Sequence, residues 1–150
     1  MDKRKVYDKT KKREEDAHFI KLPSELRHYI YLPEFKAEMA FLYALIVDLW
    51  NADLGYAYPS QDKLAMYYGK ALNTTKEHLR ILKKYELIVM NTNSLGNTYV
   101  PLEPLPEHEF FVKYREANQQ YRDRLKQIEA DREAARLRMV KSRQKRSGNE

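Results

Sequence analysis

The chain has 150 residues, 43% of them apolar, with 12 tyrosines and one tryptophan. That is enough for one compact domain plus an appendage, and too apolar for global disorder. It has no cysteine, which excludes a disulfide scaffold, a thiolate metal site and a cysteine nucleophile. The net charge of +6 is unevenly placed: residues 1–13 carry seven Lys/Arg against two Asp, residues 136–150 carry six against one Glu, and the body between them is net negative. Basic ends of this kind suit a polyanionic partner; on the plainer reading they only keep the chain in solution.

The first 16 residues are charged and aperiodic and are expected to form a disordered basic arm. No apolar run of signal-peptide type follows the basic start. The longest apolar run, Met39 to Trp50, is interrupted by Asp48 and is too short to cross a bilayer. A cytoplasmic location with no membrane partner is therefore expected. "HFIKLP" (18–23) alternates like a short strand ended by Pro23. Ser24 is placed to cap a short helix with Leu26, Tyr29 and Ile30 as its apolar positions, and Pro33 stops it. From Glu34 to Asp53 the most apolar segment reads as a helix. Acidic residues open it, and Phe41, Leu42, Leu45, Ile46, Leu49 and Trp50 leave it little polar face. Such a helix belongs at the centre of the domain, and Gly55 stands where a left-handed C-cap is expected.

"YPSQDKLAMYYGKALNTTKEHLRILKKYELIV" (58–89) contains two helical runs three residues apart. Ser60 is a good N-cap, Leu64, Ala65 and Tyr68 form an inward stripe, and Gly69 ends the first run. In the second, Thr75, Leu79 and Leu82 follow the i, i+4, i+7 spacing of a buried face. Two helices joined through a short glycine-containing turn make a helix-turn-helix, whose second helix suits the major groove of DNA. "LIVMNT" (87–92), "NSLG" and "NTYVPL" (97–102) then read as strand, turn and strand. The strand at 18–23 is a candidate third member of that sheet. The fold class expected is mainly α with a small β-wing, a winged helix-turn-helix followed by a long C-terminal helix. The domain occupies 17–104, the helix 105–135 and a basic tail 136–150.

On "FIKLPSEL", "YPSQDKLA", Gly69, Thr74 and "LKKYELI", residues 18–102 resemble the winged-helix domains of Gram-positive plasmid and phage replication initiators and DnaD-type primosome proteins. The resemblance implies DNA binding and a role in replication initiation or its control on a mobile element. A transcriptional regulator with the same fold, or a protein-binding adaptor of a replication or transfer complex, are the alternatives. Three departures stand out. Ala71 takes the place of a capping serine, so Asn73 is expected to cap the recognition helix instead. Glu86 takes the place of a glycine at a left-handed position. The wing from Asn91 to Thr98 has no Lys or Arg.

The base-reading candidates are Asn73, Thr74, Lys76, Glu77 and Arg80, because Asn pairs with adenine, Arg with guanine, and Glu accepts from cytosine. The plainer reading is a solvated face with Glu77 and Arg80 paired at i, i+3. Phosphate candidates are Ser60, Lys63, Lys70, Lys83, Lys84, Asn93 and Asn97. Tyr56, Tyr58, Tyr67 and Tyr68 cluster beside the motif and offer stacking faces, although tyrosines at helix ends more often edge a core. His18, His28, His78 and His108 show no metal-ligand spacing, and no phosphate loop or nucleophile motif is found. An enzyme, a metal site and a cofactor are not expected. In the C-terminal helix Phe111, Tyr114, Tyr121, Leu125 and Ile128 mark one stripe for self-association or docking. The partners expected are double-stranded DNA, a second copy of the chain, and replication or transfer proteins.

Overall fold

The computed structural model describes residues 3–10 and 19–148. In chain order these form a 3-10 helix (Ser24–Tyr31), α1 (Ala37–Leu49), α2 (Gln61–Tyr68), α3 (Leu72–Lys84), β1 (Ile88–Asn93), β2 (Gly96–Pro101), α4 (Glu107–Lys113) and α5 (Arg115–Gly148). The helix-turn-helix and the antiparallel hairpin follow each other directly, the order of a winged helix, and a long helix closes the chain.

α1 is the hub. Met39, Leu42 and Ile46 are fully buried and Tyr43, Ala44 and Leu45 nearly so, and α2, α3 and β2 all pack against it. The helix is shorter than its apolar run suggested: Trp50 falls beyond its end and is 43% exposed, and within it Phe41 is 48% exposed. Three neighbouring elements cannot surround a helix completely, so one strip of even this apolar sequence meets water. Gly55 does not cap α1. Trp50 ends that helix in an extended conformation, and Gly55 (φ +79) instead closes a turn in which its amide donates to Asn51 O at 2.7 Å.

The wing pairs Ile88 with Pro101 through to Asn93 with Gly96. Its third member is not the segment at 18–23. Residues 19–23 form no strand, Phe19, Ile20 and Leu22 are exposed, and His18 lies outside the described residues. The edge of β2 is taken by Ala57, which exchanges two backbone hydrogen bonds of 2.8 Å with Tyr99. Ala57 sits between α1 and α2 and is already beside the hairpin, so it occupies the edge at a lower loop-closure cost than the remote N-terminal segment. Ser24 makes no capping bond either. Pro23 occupies the cap position, and the helix is of 3-10 type with Leu26 and Tyr29 buried and Ile30 turned outward.

Residues 107–143 do not form one helix. Tyr114 (φ −109, ψ 86) interrupts it, which changes the phase of the apolar stripe between the two pieces. The anchor is consequently Phe110, not Phe111. Phe110 is fully buried, with ring centroids 4.5 Å from Tyr29, 4.6 Å from His28 and 5.1 Å from Tyr114. Across the break Ala117 is fully buried, Tyr121 stacks on Phe111 at 5.0 Å and meets Tyr31 edge-on at 5.2 Å. Three long-range side-chain hydrogen bonds pin the proline-rich spacer, residues 101–106: Tyr43 OH to Leu102 O (2.7 Å), Leu105 N to Tyr29 OH (2.9 Å), and His28 Nε2 with Leu105 O (2.9 Å). The boundary expected at 135/136 has no counterpart, because α5 continues to Gly148 through residues of high helix propensity with no Gly or Pro between. The arm expected over 1–16 lies partly outside the described residues; within it, Thr10 donates its amide (2.9 Å) and hydroxyl (2.6 Å) to Asp8.

Glu86 adopts the left-handed conformation (φ 58) that favours glycine, at a cost of about 1 kcal/mol. Its carboxylate accepts from Lys113 Nζ at 2.7 Å, joining the base of the wing to α4. The aromatic cluster around Phe110 makes a clear prediction. Phe110→Ala should destabilise the fold by about 3–5 kcal/mol in chemical denaturation, while Phe111→Ala, at a half-buried position, should have a markedly smaller effect.

Candidate nucleic-acid interface

The local geometry of α2 and α3 follows from their ends. Ser60 Oγ accepts from Lys63 N at 3.1 Å, capping α2 as its sequence predicts. Gly69 (φ +72) ends it in the left-handed region, and both Gly69 N and Lys70 N bond back to Ala65 O. This reverses the chain within Lys70 and Ala71. α3 begins at Leu72, one residue before Asn73, so Asn73 is not its cap. Ala71 holds the cap position and offers no side-chain acceptor, while Thr75 Oγ1 bonds to Ala71 O at 3.0 Å. The first-turn amides of α3 are therefore left without a side-chain partner at the positive end of the helix.

Behind α3, Thr75, Leu79 and Leu82 are fully buried and His78 and Ile81 nearly so. At 3.6 residues per turn the opposite face carries Asn73, Lys76, Glu77, Arg80 and Lys84, with Thr74 and Lys83 at its two edges. All seven are exposed, so the structure brings the five sequence-predicted base-reading residues onto one open surface.

Three cations of this region are held by carboxylates. Lys84 Nζ lies 2.5 Å from Glu34, Lys70 Nζ 2.9 Å from Glu38, and Arg80 Nη2 2.7 Å from Glu77. Each carboxyl is lowered from its ordinary pKa, chiefly by the hydrogen bond from its cation. Lys76 and Lys83 have no carboxylate partner among the described residues, and Lys63 lies over the Tyr67 ring at 5.7 Å. Sequence reasoning missed Glu34 and Glu38 as partners. Their place at the start of the helix expected over residues 34–53 suggested only a dipole role, and nothing local links Glu34 to a lysine fifty residues away.

The polar side chains of the wing are turned onto the hairpin itself. Asn93 Oδ1 accepts from Leu95 N at 2.9 Å, and Asn97 Oδ1 accepts from Thr92 Oγ1 at 2.8 Å. Leu95 at the tip is 97% exposed. Between the wing and the start of α2 lies a cleft of about 560 Å³ whose lining includes Tyr56, Tyr58, Ser60, Leu72, Asn93 and Asn97. It thus gathers three phosphate candidates, Ser60, Asn93 and Asn97, and two of the four tyrosines. The lysine candidates Lys63, Lys70, Lys83 and Lys84 lie outside it. Tyr67 is exposed beside Lys63. Tyr68 is a core-edge residue, buried and hydrogen-bonded through its hydroxyl to His78 Nδ1 at 2.8 Å.

No protein-family model matches the chain, and no curated protein matches it in sequence. Two solved structures are similar in fold. One, described as "N-Terminal domain of DNA binding protein", superposes with a TM-score of 0.50 at 16% identity, covering 68% of this chain and 88% of its own. The other, described as "Structure of Rep-DNA complex", gives a TM-score of 0.49 at 16% identity with the same coverages. At this identity the likeness is one of fold.

Burial lowers the pKa of the His78 imidazole, partly opposed by Glu38, and pushes the Tyr68 hydroxyl far above its usual value. A histidine whose folded pKa is depressed takes up its proton more readily when unfolded. Stability from this pair is therefore complete above the unfolded pKa of about 6.5 and declines as pH falls from there toward the folded value. The urea midpoint should fall as pH is lowered from about 7 through that window. His78→Asn, which retains an acceptor near Tyr68, should flatten that part of the profile whatever its effect at pH 7.

Proposed function

We propose that this chain is a double-stranded DNA-binding protein without catalytic activity, located in the cytoplasm, which reads sequence by laying α3 in the major groove. The observation that carries the reading is the division of α3 into a fully buried stripe and an opposite face of Asn73, Lys76, Glu77 and Arg80. Asn, Lys and Arg side chains distinguish base edges, and the short turn after α2 presents this face on a rigid element. The wing-side cleft with Ser60, Asn93 and Asn97 supplies neutral contacts suited to phosphate. The fold shared with a structure described as the N-terminal domain of a DNA-binding protein agrees with this use. Among the described residues, no helix is long and apolar enough to cross a membrane.

The process we propose is replication initiation or its control on a plasmid, phage or other mobile element, which rests on the sequence resemblance over residues 18–102. Transcriptional regulation would use the same surface. An adaptor role is favoured by a different observation: three cations near α3 are already ion-paired, and the uncharged wing presents an almost fully exposed Leu95.

Fluorescence anisotropy on duplexes at about 0.1 M salt separates these classes. Asn73→Ala should weaken binding to a preferred duplex by about 1–3 kcal/mol and affect random duplexes far less. Lys83→Ala should weaken both alike and lower the log–log salt slope by roughly 0.9. Failure of the wild type to bind any duplex would overturn DNA binding in favour of the adaptor.

We further propose that the chain is a homodimer joined through α5 beyond Tyr121. Phe111, Tyr114 and Tyr121 are taken up by the domain itself, whereas Leu125 and Met139 are 42% and 59% exposed. A two-fold pair would set two recognition helices on half-sites about one DNA turn apart. Sedimentation equilibrium should show a dimer that Leu125→Glu with Ile128→Glu converts to a monomer of unchanged thermal stability. A monomeric wild type would exclude self-association.

A further inference from the structure

The ion pair at the centre of the α3 face has a geometry that assigns its two members different tasks. Arg80 donates from Nε to Glu77 Oε2 at 3.0 Å and from Nη2 to Glu77 Oε1 at 2.7 Å. Both bonds use the side edge of the guanidinium. An arginine has five N–H donors in a rigid plane, so three remain. Two of these, one on Nη1 and one on Nη2, point in parallel from the outer end of the plane. That end matches guanine O6 and N7 in the major groove, the commonest bidentate contact between a protein and a base. Both side chains are about half exposed, and among the described residues neither forms a hydrogen bond or ion pair with another element.

We propose, on the basis of the DNA-binding reading above, that Glu77 is a specificity-determining residue that acts through Arg80. It holds the guanidinium end-on toward a guanine and does not read a base of its own. Two physical effects follow. The fork between carboxylate and guanidinium removes the rotational freedom of a long side chain, so less is lost when the guanine bonds form. The carboxylate also opposes phosphate wherever α3 approaches DNA out of register, which weakens binding to every sequence lacking the guanine. In water an exposed pair of this spacing contributes little to helix stability, so its removal leaves the fold intact.

The test begins with selection of a preferred duplex by the wild type from a randomised library. Affinities for that duplex, for its single-base-pair variants and for random duplex are then measured for the wild type, Glu77→Gln, Arg80→Lys and the double variant Glu77→Gln/Arg80→Lys. Thermal melts confirm that each variant is folded. Arg80→Lys keeps the charge but loses the fork, and should abolish a preference of about tenfold or more for guanine at one position. Glu77→Gln should weaken that same preference while raising affinity for random duplex several-fold. The double variant should discriminate no worse than Arg80→Lys alone. If Glu77→Gln alters the preference at a different base pair, or combines additively with Arg80→Lys, then Glu77 reads a base independently and the proposal is overturned. Unchanged discrimination in Glu77→Gln overturns it equally. A wild type that enriches no duplex removes the DNA-binding reading itself, and with it this inference.

Discussion

The burial of α1 is the constraint on which the rest of the structure depends. Met39, Leu42 and Ile46 are fully enclosed, and α2, α3 and β2 reach their places by covering them. A buried aliphatic side chain contributes on the order of 1.5–3 kcal/mol, whereas each ion pair at the surface contributes at most about 1 kcal/mol. The orientation of α3 is therefore decided from behind, by Thr75, Leu79 and Leu82, and not by the charges on its front. That separation leaves the outward residues of α3 free of any packing requirement.

A second set of contacts ties the C-terminal region to this core. His28, Tyr29 and Tyr43 bond to backbone groups of residues 102–105, and Phe110 fills the space between His28, Tyr29 and Tyr114. Two of the three bonds use tyrosine hydroxyls whose rings lie in the core, so one side chain satisfies both the apolar interior and a polar backbone group. The spacer consequently acts as a strap and not as a loose linker. It sets where α4 starts, and the break at Tyr114 then sets the direction of α5.

The elements that were legible in the sequence are those whose signals are local. Ser60, Gly69, the Thr75–Leu79–Leu82 stripe and the turn at Ser94 and Leu95 each lie within a few residues of the structure they specify, and each is found where it was expected. The left-handed residue at Glu86 was anticipated from the resemblance and not from a local signal. The alternative pairing of Glu77 with Arg80 was also visible, because a spacing of three on a helix makes neighbours. The N-terminal strand, the Ser24 cap and the Gly55 cap were misread. Each had the right local chemistry, but another segment or another conformation met the same requirement in three dimensions.

By itself, then, the sequence determined the order of elements from α1 to β2, the inward and outward faces of α2 and α3, and the set of polar side chains that α3 presents to solvent. Periodicity and capping act over one or two turns, and no distant group alters them. Only the tertiary structure decided that Ala57 would edge the wing, that Glu34 and Glu38 would restrain Lys84 and Lys70, and that Phe110 would displace Phe111 as the anchor of α4. Edge pairing and long-range ion pairs depend on which segments the packed core brings within about 3 Å of one another. The phase of an apolar stripe depends on whether the helix beneath it is continuous. A single non-helical residue, Tyr114, was enough to reset it.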